Sequence, residues 1–278
     1  HGFATDKLLP NMWANDFMEL YVHYVTPSVA PLIANQSFFN NFRTAYGFRA
    51  FAERTGDDAL RRRADLMKEL TLAAPSKKGV WPTMCYFPEG EVWWYEGCKM
   101  FESVRQYHIP DNAWTGVWML NWYEDIEKDE RLLEKAKDFG EFLLEAADSS
   151  GGFPSWVSIS DGGSIEAKPV LNRSAQTSAP GLFLTRLASV TGDKRYLSAA
   201  KKAADFMISE ILPYDKWWDS ETFFSCSKKD RGMRDVGTGL HCMNSLCIFW
   251  TAEFMRRLYS ATRAKKYLEA GLRALDIM

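Results

Sequence analysis

No apolar run in the 278-residue chain approaches the roughly 18 residues that a membrane-spanning helix needs; Leu246 to Trp250 is typical of its longest stretches. An excess of one charge is also missing. The 34 Lys and Arg against 36 Asp and Glu leave a formal net charge of -2, so no basic footprint for a nucleic acid is present. Cysteine is scarce: Cys85, Cys98, Cys226, Cys242 and Cys247 make five. Cys242 and Cys247 stand near His241, but a zinc site wants a second close pair and none exists. An Asp-rich D-x-D-D motif, the acid signature of a terpenoid-type cyclase, is absent as well. The expectation is a chain that uses no metal and no cofactor.

What is abundant is aromatic surface, 14% of residues with 11 Trp and 11 Tyr. Much of the rest is repetition. Four segments share one pattern: TGDDALRRRADLMKEL from Thr55, EKDERLLEKAKDFGEF from Glu127, TGDKRYLSAAKKAADF from Thr191 and TRAKKYLEAGLRALDI from Thr262. With Asp57, Asp129, Asp193 and Ala264 as anchors, a large apolar residue follows at plus three: Leu60, Leu132, Tyr196, Tyr267. A small one follows at plus seven (Ala64, Ala136, Ala200, Gly271), and plus thirteen is apolar again (Leu70, Phe142, Phe206, Ile277). These offsets lie near one helical stripe, so each segment is expected to be an amphipathic helix. The three Asp anchors have the chemistry of N-caps.

Upstream of each anchor runs a more apolar helix: TAYGFRAFAE, TGVWMLNWYE, APGLFLTRLAS and TAEFMRRLYS. Phe51, Tyr123, Leu187 and Leu258 sit six residues before the anchors. The unit is therefore a buried inner helix, a short turn and an exposed outer helix. Outer-to-inner connections are long, near 74–113, 147–177 and 211–240, and hold Trp81, Trp93, Trp94, Trp156, Trp217 and Trp218, with Trp114 just inside the next helix. Long loops on a rigid scaffold are where binding residues concentrate. A small β-hairpin is expected from MCYF and EVWWY around Pro88-Glu89-Gly90.

The repeated outer helices, with the turns GVWPTM (79–84) and GGFPSW (151–156), give the chain a resemblance to the six-hairpin (α/α)6-toroid proteins, a superfamily of many glycoside hydrolases and related polysaccharide-active enzymes. The resemblance implies an all-α toroid with long loops on one rim, formed by residues 1–278 as a single domain of a longer chain. About four of six hairpins are visible. It implies action on an oligo- or polysaccharide, not on nucleic acid or membrane, and favours a secreted or periplasmic setting; the oligomeric state is not legible.

Glycosidic hydrolysis needs two carboxyl groups flanking the bond, one of them kept protonated. The long loops offer Glu89, Glu91, Glu96, Asp111, Asp161, Glu166, Asp219, Glu221 and Asp235. Asp111 precedes the inner helix that begins near Trp114, where it is either a helix cap or an acid at the inner rim. Glu96 follows the aromatic run Trp93-Trp94-Tyr95, a setting that favours a neutral acid. Asp235 and His241 bracket DVGTGLH, whose Gly237 and Gly239 admit close backbone approach. Asp111, Glu96, Asp235 and His241 are thus the catalytic candidates. Trp81, Trp93, Trp94, Trp114, Trp156, Trp217 and Trp218 are candidate sugar platforms, since a pyranose lays its C–H face on such rings. Arg173 and Gln176, in LNRSAQTSAPG, are candidates for binding hydroxyls or a uronate carboxylate. Two other readings stand beside hydrolysis. One is a polysaccharide lyase acting on uronates through Tyr107, His108, Asn112 and Arg173; the other is a non-catalytic module that binds a glycan or a protein.

Overall fold

The computed structural model describes residues 32–33, 35–82, 84–86, 93–95, 106–169, 172–217, 234, 236–237, 239, 243 and 245–277. Eight α-helices lie among them: α1 (Asn35–Thr55), α2 (Asp58–Ala73), α3 (Ile109–Asp125), α4 (Glu130–Ala146), α5 (Ser178–Thr191), α6 (Lys194–Phe206), α7 (Ser245–Thr262) and α8 (Lys265–Asp276). They follow one another as four pairs at the places the repeat predicts, and α1–α2, α5–α6 and α7–α8 pack as hairpins. The chain divides into two compact units, 1–139 and 140–278, with the division inside α4. In the first, α1 packs on α2 and on α3; in the second, α5 packs on α6 and α7, and α7 on α8.

The caps explain the sharp turns. Asp57 accepts hydrogen bonds from the amides of Ala59 and Leu60, Asp129 from Arg131, and Asp193 from Arg195. Each satisfies a donor that the helix start leaves without an intrahelical partner. Ala264, the departure from the pattern, caps α8 with no side-chain bond. The small positions are buried as expected: Ala64, Ala136 and Ala200 have no exposed surface. Gly271 is filled by α7, because a Cβ there would sit 3.2 Å from Met255 Cβ. Phe51 departs from the expectation of a buried inner helix, with 55% of its surface exposed.

The repeat carries a second device that the apolar stripe does not announce. The acid twelve residues past one anchor meets the cation two past the next. Glu69 takes both terminal nitrogens of Arg131 at 2.8 and 2.9 Å, Glu141 takes those of Arg195 at 2.7 and 3.1 Å, and Asp205 takes Lys266. These pairs are half-exposed, so each contributes at most about 1 kcal/mol; bidentate geometry lets them fix the register of successive outer helices. A stronger junction lies beneath the first. Lys68, only 5% exposed, donates to Asp129 at 2.9 Å and Glu127 at 3.1 Å. Arg131 beside Asp129, helped by Lys68, holds that carboxyl far below the usual range.

Each glycine-aromatic-proline turn is a clamp onto the next outer helix. Gly79 and Gly151 both have φ of +89°. A Cβ on Gly79 would be driven into the carbonyl oxygen of Asp138, and one on Gly151 into that of Lys202. Both targets lie nine residues past their anchors. After the first clamp, Trp81 is fully buried, edge-on to Phe139 at 5.4 Å, with the Lys135 ammonium 5.3 Å from its centroid. Lys135 also donates to the Ala74 carbonyl at 2.7 Å, and burial pushes its amine down to about 8.

The loops also hold short strands. β1 (Leu32–Ile33), β2 (Met84–Tyr86) and β3 (Trp93–Tyr95) form an antiparallel sheet, Met84 opposite Tyr95 and Tyr86 opposite Trp93. This is the hairpin expected from MCYF and EVWWY. A two-residue strand, β4 (Tyr107–His108), leads into α3. A second hairpin, β5 (Trp156–Ile159) with β6 (Ile165–Ala167), was not expected. Its tip is Asp161-Gly162-Gly163, with Gly163 at φ +81°, ordinary hairpin-turn chemistry.

Gly79→Ala and Gly151→Ala are expected to cost at least about 2 kcal/mol each, since backbone strain adds to a backbone clash. Gly163→Ala, which meets no atom within 4 Å, should cost about 1 kcal/mol. Urea unfolding of the three variants gives the comparison; equal losses would mean that the clamp contributes nothing. Lys135 yields a pH signature. Its folded pKa lies near 8 against an ordinary 10.5, so over that interval the unfolded chain holds a proton that the folded chain has released. Stability then rises with pH across the window. Lys135→Met should flatten the rise in melting temperature between pH 8 and 10.5.

Candidate active site

In the first unit, the start of α3 gathers buried polar groups. His108 occupies the N-cap position without a side-chain cap bond, Pro110 follows in the first turn, and Asp111 lies inside that turn. The cap alternative for Asp111 therefore fails: the residue is helical, and its own carbonyl accepts from the Thr115 hydroxyl at 2.8 Å. Its Oδ2 stands 2.9 Å from Nδ1 of His108, with side-chain exposures of 5% and 1%. A carboxylate and an imidazole are thus held together out of water, at the end of a helix where the dipole is positive.

Asn112 locks this turn to the loop behind it. Its Oδ1 accepts from the Trp81 amide at 3.0 Å, and its Nδ2 donates to the Trp81 carbonyl at 3.2 Å and to the His108 carbonyl at 3.1 Å. Both of its donor hydrogens are spent on the protein. Trp114, next along, is 7% exposed.

The second unit uses the same place in its repeat differently. Gln176 stands where Asn112 stands, seventeen residues before the anchor, and is 2% exposed. Here the turn is held by its neighbours instead. The Phe153 amide donates to the Thr177 hydroxyl at 3.1 Å, and the Arg173 amide donates to the Phe153 carbonyl at 3.3 Å. Gln176 is left with a buried side-chain amide whose Nε2 and Oε1 have no hydrogen-bond partner among the described residues. An unpaired buried amide costs about 1–3 kcal/mol, an arrangement to be expected where a ligand completes the pairing. Arg173, at φ +56°, has its Nε 2.8 Å from Asp148 and its guanidinium 5.9 Å from the Phe206 ring centroid.

The candidate aromatic rings divide by burial. Trp81 and Trp217 have no exposed surface and Trp156 has 4%, so packing takes up most or all of each ring. Trp94, on β3, is half-buried. Trp93 also lies on β3, but its side chain and the whole of Trp218 are outside the described residues, as are Glu96, Asp235 and His241. Of the nine loop acids, Asp161 and Glu166 are exposed on the β5–β6 hairpin. Lys168 at 3.0 Å and the Ser158 hydroxyl lower the Glu166 pKa, the reverse of what a general acid needs. Sequence reasoning named Asp111 and Gln176 but missed His108 as the partner of Asp111; its signal was the spacing of three residues across a helix start.

The family model described as "Glycosyl hydrolase family 47" matches residues 113–236. Among solved structures, the α-mannanase of glycoside hydrolase family 76 from Bacteroides thetaiotaomicron is similar at 18% identity and TM-score 0.57, over 90% of this chain and 61% of that one. An unsaturated glucuronyl hydrolase from Bacillus sp. GL1 is similar at 16% identity and TM-score 0.55, over 84% and 59% of the two chains. The cellobiose 2-epimerase of Bacillus thermoamylovorans matches at 13% identity and TM-score 0.59, over 86% and 58%. Curated protein sequences give no match. All three structures are α/α toroids, and the chain shares their fold. It spans about three-fifths of their lengths.

The double clamp made by Asn112 sets a stability expectation. Asn112→Ala leaves the Trp81 amide and carbonyl unpaired in a buried turn and should cost about 2–4 kcal/mol. Asn112→Asp should cost a similar amount, because a carboxylate cannot donate to two carbonyls. Denaturant titration of both variants measures this, and a loss below about 0.5 kcal/mol in either would show the clamp to be dispensable.

Proposed function

We propose that this chain is part of a glycoside hydrolase acting on an α-mannoside-containing glycan, with Asp111 as one of two catalytic carboxyl groups. The observation that carries the reading is the buried Asp111–His108 pair, 2.9 Å apart at the start of an inner helix. The likeness to an α-mannanase and the match to a glycosyl hydrolase family supply the sugar class and the reaction class. His108 fixes the orientation of Asp111. The second carboxyl is assigned to Glu96, with Asp235 as the alternative, and His241 stands beside them as a further candidate.

In the inverting form of this chemistry one acid protonates the glycosidic oxygen while the other activates water, the two standing roughly 6.5–9.5 Å apart. Sugar rings are assigned to Trp93, Trp94 and Trp218 and to the edges of Trp114 and Trp156. Trp81 and Trp217 serve the scaffold beneath them. Gln176, with both ends of its amide unpaired, is assigned to sugar hydroxyls, and Arg173 to the same role with the nitrogens that Asp148 leaves over. The lyase reading is disfavoured by chemistry on two counts. Both amide hydrogens of Asn112 are spent on Trp81 and His108, and the charge of Arg173 is already paired with Asp148, so neither is poised to neutralise a uronate.

A product assay on α-mannan, neutral β-glycans and uronate-bearing glycans tests this. Hydrolysis is expected on the α-mannan. Asp111→Asn and Glu96→Gln should each lower kcat by at least about a hundredfold with folding intact. Full activity in both would remove the site assignment, while an unsaturated, ultraviolet-absorbing product would establish the lyase.

A further inference from the structure

We infer that Lys135 is a covalent capture site for the aldehyde end of a reducing sugar, which the groove beside it binds. The groove, about 440 Å³, runs between the end of α2 and the first half of α4 and is lined by Leu72, Ala73, Ser76, Glu134, Lys135 and Asp138 among others. Neither Lys135 nor this groove takes part in the hydrolase reading, so the two stand or fall separately.

The surroundings of the amine make it a nucleophile. Its hydrogen bond goes to a neutral acceptor, the Ala74 carbonyl at 2.7 Å, just past the end of α2. The ammonium stands 5.3 Å from the centroid of the Trp81 ring. A lysine desolvated in this way gives up its proton near neutral pH and attacks carbonyl carbon. Burial brings this amine down to about 8, with the charge of Asp138 acting against the shift. Glu69 on α2 and Arg131 on α4 complete the charged lining, and those two are bound to each other. Packing does not ask for an amine here. Six residues past the later anchors, in the place of Lys135, stand Ala199 and Ala270.

The lining suits a polyhydroxylated aldehyde. The carboxylates of Glu134 and Asp138 are exposed and accept hydrogen bonds from hydroxyls, and the Ser76 hydroxyl donates or accepts. The same acids repel an anionic reagent such as an acyl phosphate. In the capture step the amine lone pair attacks the aldehyde carbon and a C–N bond forms. The carbonyl oxygen leaves as water with one amine hydrogen and one proton from solvent, and nothing is oxidised or reduced. The nitrogen is left as an iminium with one N–H. It therefore keeps both a donor for the Ala74 carbonyl and a positive charge beside the Trp81 ring, the two contacts the ammonium already makes.

Incubating the 278-residue chain with mannose and sodium cyanoborohydride, which reduces the iminium to a stable secondary amine, allows the labelled lysines to be mapped by peptide mass spectrometry. At pH 7 Lys135 should be labelled at least about tenfold faster than Lys137, which is exposed on the same helix. The rate at Lys135 should rise with pH to a midpoint near 8. Asp138→Asn should lower that midpoint, because the acid's charge favours the ammonium. Propanal, an aldehyde without hydroxyls, should show a preference for Lys135 over Lys137 at least about threefold smaller than that of mannose. Methyl α-mannoside, which has no free aldehyde, should leave Lys135 unlabelled. Labelling of Lys135 no faster than that of Lys137, a midpoint near 10.5, or a midpoint unmoved by Asp138→Asn overturns the inference. An equal preference with propanal overturns the sugar assignment, as does labelling by the methyl glycoside.

Discussion

A glycine that must not acquire a side chain governs much of this molecule. At Gly79 and again at Gly151 the backbone takes a left-handed φ of +89° and lies against a carbonyl of the following outer helix. That contact ties down each long loop near its start and sets the aromatic residue that follows. In the first unit this is Trp81, whose amide and carbonyl are both taken by Asn112. Asn112 in turn sits one residue from Asp111. The chain of dependence runs from a φ angle, through a buried ring and an amide clamp, to the carboxylate. Loops carry function in many folds because a scaffold holds them still; here the clamp is the means.

The helices were legible because they obey two independent rules at once. Apolar residues at plus three and plus thirteen with a small one at plus seven mark a stripe, and an Asp at the anchor marks its start. Where one rule lapses the other suffices, as at α8, which begins at Ala264 without a capping side chain. The cations at plus two and acids at plus twelve were just as visible in the letters, but they carry meaning only across repeats. A periodicity search within one helix sees Glu69 and Arg131 as two solvated charges. Their pairing depends on the packing of successive outer helices, which no local pattern encodes.

The site was less legible, for a physical reason. A tryptophan in a loop has the same letters whether it stacks a sugar or plugs the gap behind a turn. Trp81 and Trp217 are fully buried, and what distinguishes Trp81 is its neighbours: Phe139 at the ring edge and the Lys135 ammonium over the face. The turn motif that suggested a binding loop was thus also an anchoring motif. His108 was named in the lyase reading alone and not as the partner of Asp111, although its distance of three from Asp111 spans the first helical turn.

The contrast between Asn112 and Gln176 shows how one repeat position acquires different duties. Asn112 lies in the first turn of α3 and Gln176 in the 3-10 turn Ala175–Thr177 that leads into α5, and both are buried amides. In the first unit the amide must hold the turn, because the neighbouring residue is Ala113 and offers no hydroxyl. In the second unit Thr177 supplies one, accepts the Phe153 amide and relieves Gln176 of the structural task. A buried amide released from scaffolding either costs stability or finds another partner. Among the described residues, the Gln176 amide is left with both ends unpaired. The presence or absence of a single hydroxyl thus separates an amide that holds its turn from one released from that task.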